Sequence, residues 1–140
     1  MRRVFALIAL PAGLLAALAP ATAAPASIAG RWQTDDGKAI VAVAPCGAGM
    51  CAKIERILVP EPPGGARDDK NPDKALRSRP LIGVQILSNL KVDGTAWKGR
   101  GYRPRDGRVF DAIVTAEGNR LNVRGCVAII CRTVVWTRAR

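Results

Sequence analysis

Side chains able to act as nucleophiles or acid–base catalysts are scarce in this sequence. The chain contains no histidine, which excludes Ser-His and Cys-His nucleophile pairs. Three carboxylates that lie close together, Asp68, Asp69 and Asp73, are the remaining candidates for paired acid–base chemistry. Lysines and arginines between positions 70 and 79 alternate with them, a pattern typical of a surface that forms its own ion pairs. We therefore expect a protein that is not an enzyme and has no catalytic residues.

Metal and cofactor sites are also poorly supported. The four cysteines are the only soft ligands besides two methionines, but they are spaced more widely than the usual zinc pairs and have no histidine to accompany them. The segment 68–73 resembles a calcium loop superficially, yet it lacks the ordered Asp, Asn, Gly and terminal Glu positions and places Lys70 among the ligands. No glycine-rich phosphate-binding motif is present. The sequence predicts no metal and no cofactor.

The cysteines instead predict two disulfides. They fall as Cys46-x4-Cys51 and Cys126-x4-Cys131, and an even number at matched spacing is typical of oxidised pairs in an exported protein. Each pair brackets an expected turn, so local pairing is our prediction. A cross-linked pairing between the two turns is the alternative, because the first and last hairpins of a closed barrel are neighbours.

The first 23 residues read as a secretory signal peptide. Arg2 and Arg3 precede an apolar run over 4–18, and the small residues 21–23 form an acceptable cleavage site. An uncleaved membrane anchor is the alternative, but the run is short for a span and contains Pro11 and Gly13. We expect residues 24–140 to be a single periplasmic or secreted domain without a transmembrane span.

The chain is strongly basic. Its formal net charge is +11, and loss of Arg2 and Arg3 with the signal peptide lowers this to +9. Such a charge favours anionic partners by long-range attraction, and for an exported protein these are lipid head groups or acidic polymers rather than nucleic acid. A basic surface kept only for solubility is the alternative.

After residue 23 the sequence consists of short apolar runs separated by turn residues. Eight runs read as strands: 28–33, 39–44, 52–58, 81–87, 96–102, 109–116, 121–125 and 129–138. No helical periodicity of useful length interrupts them. The prediction is an all-β fold, a small up-and-down antiparallel barrel of eight strands that leaves no exposed edge. A long polar loop over 59–80 breaks the rhythm, and loops of this length are usually functional or disordered.

Two tryptophans mark the closed end of the predicted barrel. Gly30 and Trp32 lie on the first strand, and Trp136 and Arg138 lie on the last. An arginine over the Trp32 ring would add a cation–π contact of roughly 1 kcal/mol to the burial of the indole. We assign these four residues to the structure of the barrel floor.

The combination of motifs resembles the domain of unknown function 2147 family over nearly all of residues 24–140. The resemblance rests on six stretches: Gly30-Arg31-Trp32 with residues 37–41, Lys70 to Asp73, Leu76 to Gly83, Trp97 to Gly99, Tyr102 to Gly107, and Gly125 to Arg138. It implies a small exported bacterial protein with a lipocalin-like, calycin-type barrel, and it implies no established activity.

A binding function is the remaining interpretation. Barrels of eight strands are either filled by side chains or hold one small ligand. We expect Gly83, Gly99 and Gly101 to leave room inside; for Gly99 and Gly101 the alternative is a bend of the strand that opens no cavity. Candidate ligand-binding residues are Arg100 and Tyr102, as a polar mouth, and Arg77 and Arg79, as a clamp on a carboxylate or phosphate. An ion pair from Arg77 or Arg79 to Asp68, Asp69 or Asp111 is the alternative for the clamp. We expect a small amphipathic or acidic ligand in the interior; the alternative is a filled barrel whose basic surface docks on an anionic lipid, a polymer or a partner protein.

Overall fold

Eight antiparallel strands dominate the computed structural model, which describes residues 17–140. Each strand is hydrogen-bonded to the next and β1 also pairs with β8, so the sheet closes into a barrel. A single turn of 3-10 helix, Lys74–Leu76, lies between β3 and β4. The predicted fold class is therefore confirmed. The strands are β1 (Gly30–Gln33), β2 (Ala39–Cys46), β3 (Gly49–Ile57), β4 (Gln85–Asp93), β5 (Ala96–Arg103), β6 (Arg108–Glu117), β7 (Arg120–Val127) and β8 (Ile130–Arg138).

The fourth strand differs most from its predicted bounds, whereas the others agree to within three residues at each end. The apolar run at 81–84 precedes the strand, and its backbone bonds join it to Ala66 and Ile54. The strand itself continues to Asp93, because a bulge carries it past Ser88 and Asn89. Asn89 has a positive φ of 53°, which interrupts the alternation of side chains that defines a strand in sequence. For this reason the sequence pattern predicts a strand that ends at Leu87.

The barrel has two distinct ends. In an up-and-down barrel successive connections alternate between ends, so the connections 34–38, 58–84, 104–107 and 128–129 share one end, which we call the loop end. The connections 47–48, 94–95 and 118–119 share the other end with the start of β1 and the finish of β8. We call this the floor end.

The floor end is closed by the predicted tryptophan and arginine. Trp32 is fully buried and donates its indole N–H to the Ile28 carbonyl at 3.0 Å. Arg138 lies over the ring with its Cζ 4.2 Å from the centroid. Gly30 has φ +129°, and a Cβ there would lie 2.6 Å from the Arg138 guanidinium, so glycine permits this close approach. Trp136 is buried in the same core.

Both disulfides are local, as predicted. Cys46 is bonded to Cys51 and Cys126 to Cys131, with Cα–Cα distances of 5.8 and 4.1 Å. The first pair lies at the floor end and the second at the loop end. The cross-linked alternative fails because alternation of the connections holds the two turns at opposite ends of the barrel.

The predicted signal peptide at 1–23 falls mostly on residues 1–16, which lie outside the described residues. Within residues 17–140, no helix is long and apolar enough to cross a membrane.

Candidate functional site

The long connection between β3 and β4 is organised around one buried carboxylate. Asp68 is fully buried and accepts hydrogen bonds from three side chains. Tyr102 Oη donates to Oδ1 at 2.6 Å, and Asn71 Nδ2 donates to Oδ2 at 2.8 Å. Arg79 Nε donates to the same Oδ2 at 2.9 Å, and its Nη2 lies 2.8 Å from that oxygen as an ion pair. We call these four residues the Asp68 cluster.

The cluster shifts the pKa of two of its members. Burial would raise the pKa of Asp68, but the hydrogen bonds from Tyr102, Asn71 and Arg79 outweigh it and hold the pKa below its ordinary value of 3.8. Burial of Tyr102 and its bond to the Asp68 carboxylate raise the pKa of the phenol from 10.0 to about 12. At neutral pH Asp68 is therefore ionised and Tyr102 is a neutral donor.

Local sequence signals assemble the loop around this carboxylate. Asp73 caps the 3-10 turn by accepting the N–H of Ala75 at 2.9 Å, and Asn71 accepts the N–H of Asp73 at 2.8 Å. The loop then docks on the connection between β5 and β6. Gly107, at φ +71°, lies so close to the Lys70 carbonyl that a Cβ would collide with it. The connection is thus an ordered structure anchored to β5.

The four predicted ligand-binding residues are placed in two groups. Arg79 and Tyr102 meet on Asp68, and Arg77 lies nearby with its Nε donating to the Asn71 carbonyl at 2.7 Å. Arg100 stands apart, on the outer wall of the barrel, where it pairs with Asp111 and both side chains are exposed. All four head groups therefore have partners within the protein. Of the interpretations left open for Arg79, the ion pair to Asp68 is the one observed.

The glycines of β5 do not leave the interior empty. Gly101 and Gly125 both face Phe110, and the three nearest atoms to a Cβ at either position belong to its ring. Gly99 instead lies against the backbone of Ser88 and Asn89, so it permits the β4 bulge to approach. Phe110 packs on the core but is only partly buried. The interior at the loop end is consequently filled by one aromatic side chain that borders solvent.

Two hollows on the described residues lie outside the barrel. One of about 340 Å³ is at the floor end, between the start of β7 and the final residues of the chain. Another of about 130 Å³ lies on the outer face beside the Cys46–Cys51 disulfide. Neither is lined by a predicted ligand-binding residue. In residues 17–140, no cluster of three cysteine or carboxylate side chains is placed to hold a metal ion.

Sequence reasoning missed a concentration of exposed aliphatic residues at the loop end. Ten large hydrophobic residues are exposed in the described part of the chain, and eight of them lie in loop-end connections or within two residues of one. The sequence signal for this exposed surface is the turn Val127-Ala128-Ile129-Ile130, which has four apolar residues where a hairpin normally has Asn or Gly. The eight are Leu58, Val59, Leu76, Ile82, Val109, Val127, Ile129 and Ile130.

Comparison with known proteins supports the fold and the family. No curated protein is significantly similar to this chain. A solved structure, that of protein HP1028 from the human pathogen Helicobacter pylori, described as belonging to the lipocalin family, superposes with a TM-score of 0.71 at 24% sequence identity. The superposition covers 81% of this chain and 84% of that one, and it identifies the barrel as lipocalin-like. Residues 30–138 match the family described as uncharacterised proteins conserved in bacteria, DUF2147, and the chain belongs to that family.

Proposed function

We propose that this protein is an exported binding protein, not an enzyme, and that it takes up a small amphipathic ligand at the loop end of its barrel by displacing the ring of Phe110. The observation that carries the proposal is the position of that ring over Gly101 and Gly125. A partly exposed side chain in an otherwise glycine-lined space can leave it by a change of rotamer. A bound apolar group would then occupy the vacated volume.

The surroundings of Phe110 indicate the chemistry of the ligand. Leu87 is the register partner of Gly101, and Ala112 is that of Gly125, so the space is apolar. On β8, Arg132 is the register partner of Gly125 and is exposed. Its alternation with Val134 and Trp136 directs it toward the mouth of the barrel. An apolar ligand tail beside Phe110 with an acidic head group at Arg132 fits this arrangement.

Titration with a fluorescent fatty acid tests the proposal. We expect saturable binding of one probe per protein, largely insensitive to salt because the buried contact is apolar. Phe110→Ala should tighten binding about tenfold, since the ring no longer competes with the probe. The matched control is Val109→Ala, an exposed neighbour on the other face of β6. The proposal would be refuted if neither the native protein nor Phe110→Ala bound the probe saturably, or if these two proteins bound it with equal affinity.

Export is the second part of the proposal. Two disulfides in a bacterial family fit an extracellular or periplasmic protein, and we infer that residues 1–23 are removed as a signal peptide. Amino-terminal sequencing of the protein from a periplasmic extract should begin at Ala24. A chain that retains residues 1–23 would overturn this assignment and favour the membrane-anchored alternative.

A further inference from the structure

We propose that the tip of the β7–β8 hairpin, Val127 to Ile130, inserts into the surface of an anionic phospholipid bilayer and so places the loop end of the barrel against the membrane. The tip itself is separate from the space occupied by Phe110, although Arg132 borders both, and the inference does not depend on an interior ligand. Three independent features of the hairpin support it.

The first feature is the exposure of the tip. Ile129 is 93% exposed and Ile130 73% exposed, and Val127 is 56% exposed. Single exposed aliphatic residues are ordinary on protein surfaces, but three within four consecutive residues form a projecting apolar patch. Such a patch gains free energy when it is transferred from water into the boundary between head groups and acyl chains.

The second feature is the backbone of the turn. Ala128 has φ 52°, a conformation that costs little for glycine or asparagine and more for other residues. A hairpin selected only for stability would use one of those residues here. The chain instead retains an apolar turn with a strained alanine, held by the Cys126–Cys131 disulfide directly behind it. Strain of this kind is found where surrounding structure maintains a functional conformation.

The third feature is charge complementarity to an anionic surface. After Glu117 the sequence contains five arginines and no carboxylate. Arg124 and Arg132 flank the tip, both are exposed, and neither forms an ion pair with any residue in 17–140. They lie three to four residues behind the turn, or about 10–13 Å along the strands. Arginine at that depth reaches lipid phosphates when the tip is inserted in the interface.

Vesicle flotation provides the test. The probe is a bilayer of phosphatidylethanolamine with about one third phosphatidylglycerol, compared with pure phosphatidylcholine, at low and at physiological salt. We expect binding to the anionic vesicles, weakened by salt, and little binding to phosphatidylcholine. At physiological salt, Ile129→Ser should lower the partition coefficient about tenfold, and Arg124→Gln about fivefold. Both residues are exposed, so the variants should keep the native melting temperature.

Matched controls lie at the opposite end of the barrel. Val92 is an exposed aliphatic residue near the β4–β5 turn, and Arg120 begins the same strand that carries Arg124. At physiological salt, Val92→Ser and Arg120→Gln should change the partition coefficient less than twofold, since Arg120 is about 25 Å from the tip, or about three Debye lengths. Equal losses in Arg120→Gln and Arg124→Gln would mean diffuse attraction and would overturn the proposal.

A fluorescence measurement distinguishes insertion from surface adhesion. Ile129→Trp should show a blue-shifted emission on anionic vesicles and quenching by brominated acyl chains, whereas Val92→Trp should show neither. A dimer in solution that Ile129→Ser converts to a monomer, without vesicle binding by the native protein, would assign the tip to a second copy of the chain and refute the lipid proposal. Failure of fatty acid binding to Phe110→Ala leaves these readouts unaffected.

Discussion

Replacement of Asp68 by asparagine should strongly destabilise the protein and release the long loop. The substitution preserves the size of the side chain but removes the charge that faces Arg79, and it introduces an N–H donor opposite a donor. The carboxylate accepts three hydrogen bonds at 2.6–2.9 Å and forms an ion pair with Arg79 Nη2 at 2.8 Å. Loss of one partner of a buried ion pair costs 3–5 kcal/mol. Arg79 is 38% exposed, so water can partly solvate it, and the expected loss is about 3 kcal/mol.

Thermal unfolding measures this loss, and a second aspartate provides the control. For a domain of this size about 3 kcal/mol corresponds to a decrease in Tm of about 12 °C. Asp111 also pairs with an arginine, but both members are exposed on the barrel wall. Asp111→Asn should therefore cost less than about 0.5 kcal/mol, or about 2 °C. If the two variants melted within 2 °C of one another, the energetic role of the Asp68 cluster would be refuted.

Acid denaturation tests the contribution of Asp68 to stability independently. The pKa of Asp68 is held below 3.8 in the folded protein, so its stabilising effect is fully present above that value. The effect is lost as the pH falls through the lower, folded pKa. Below about pH 4, the free energy of unfolding of Asp68→Asn should therefore depend less steeply on pH than that of the native chain. Trypsin should also cleave the loop of the variant faster, at Lys70 and Lys74, with no matching increase in Asp111→Asn.

Three further predictions concern single measurements. Tyr102 is the sole tyrosine of the chain, so absorbance titration of the folded protein should show one phenol with a pKa of about 12. The stabilising effect of the neutral Tyr102 phenol is complete below pH 10 and is lost as the pH rises through about 12. A titration midpoint near pH 10 would contradict the hydrogen bond to Asp68. Trp32→Ala should cost about 4 kcal/mol and Arg138→Gln about 1 kcal/mol by chemical denaturation, and unchanged stability of both would contradict the floor assignment. Non-reducing peptide mapping should recover Cys46 with Cys51 and Cys126 with Cys131, and a Cys46–Cys131 peptide would contradict it.

The fold was predictable because its determinants are local. Turn residues separate the eight apolar runs, and the cysteine spacing matches the mouths of two hairpins. Asp73 caps the 3-10 turn that follows it directly in the sequence. The exception is β4, because the bulge at Asn89 depends on close approach of the Gly99 backbone from the neighbouring strand. No pattern within 81–93 reports that contact.

The Asp68 cluster was not predictable, since its members are distant in sequence. The partners of Asp68 lie 3, 11 and 34 residues away, and a chain with 22 basic and 11 acidic residues offers each carboxylate many possible arginines. Tyr102 was predicted to be a ligand-binding residue rather than a partner of Asp68, because sequence alone does not show that a loop covers it. The position of Phe110 likewise follows from the registers of β5, β6 and β7 together.

The residues that stabilise the barrel and those with proposed functions lie in different parts of it. Trp32 and Arg138 close the floor end, and at the loop end the Asp68 cluster holds the long connection against β5. The remaining sector of the loop end, from β6 to β8, has the opposite character: Phe110 is partly exposed, Ala128 is strained, and Ile129 projects into solvent. The predicted clamp of Arg77 and Arg79 belongs to the stabilised sector. Asp68→Asn should therefore lower Tm while leaving fatty acid and vesicle binding unchanged at temperatures where the barrel is folded. Ile129→Ser should do the reverse, and Phe110→Ala should change fatty acid binding without changing vesicle binding.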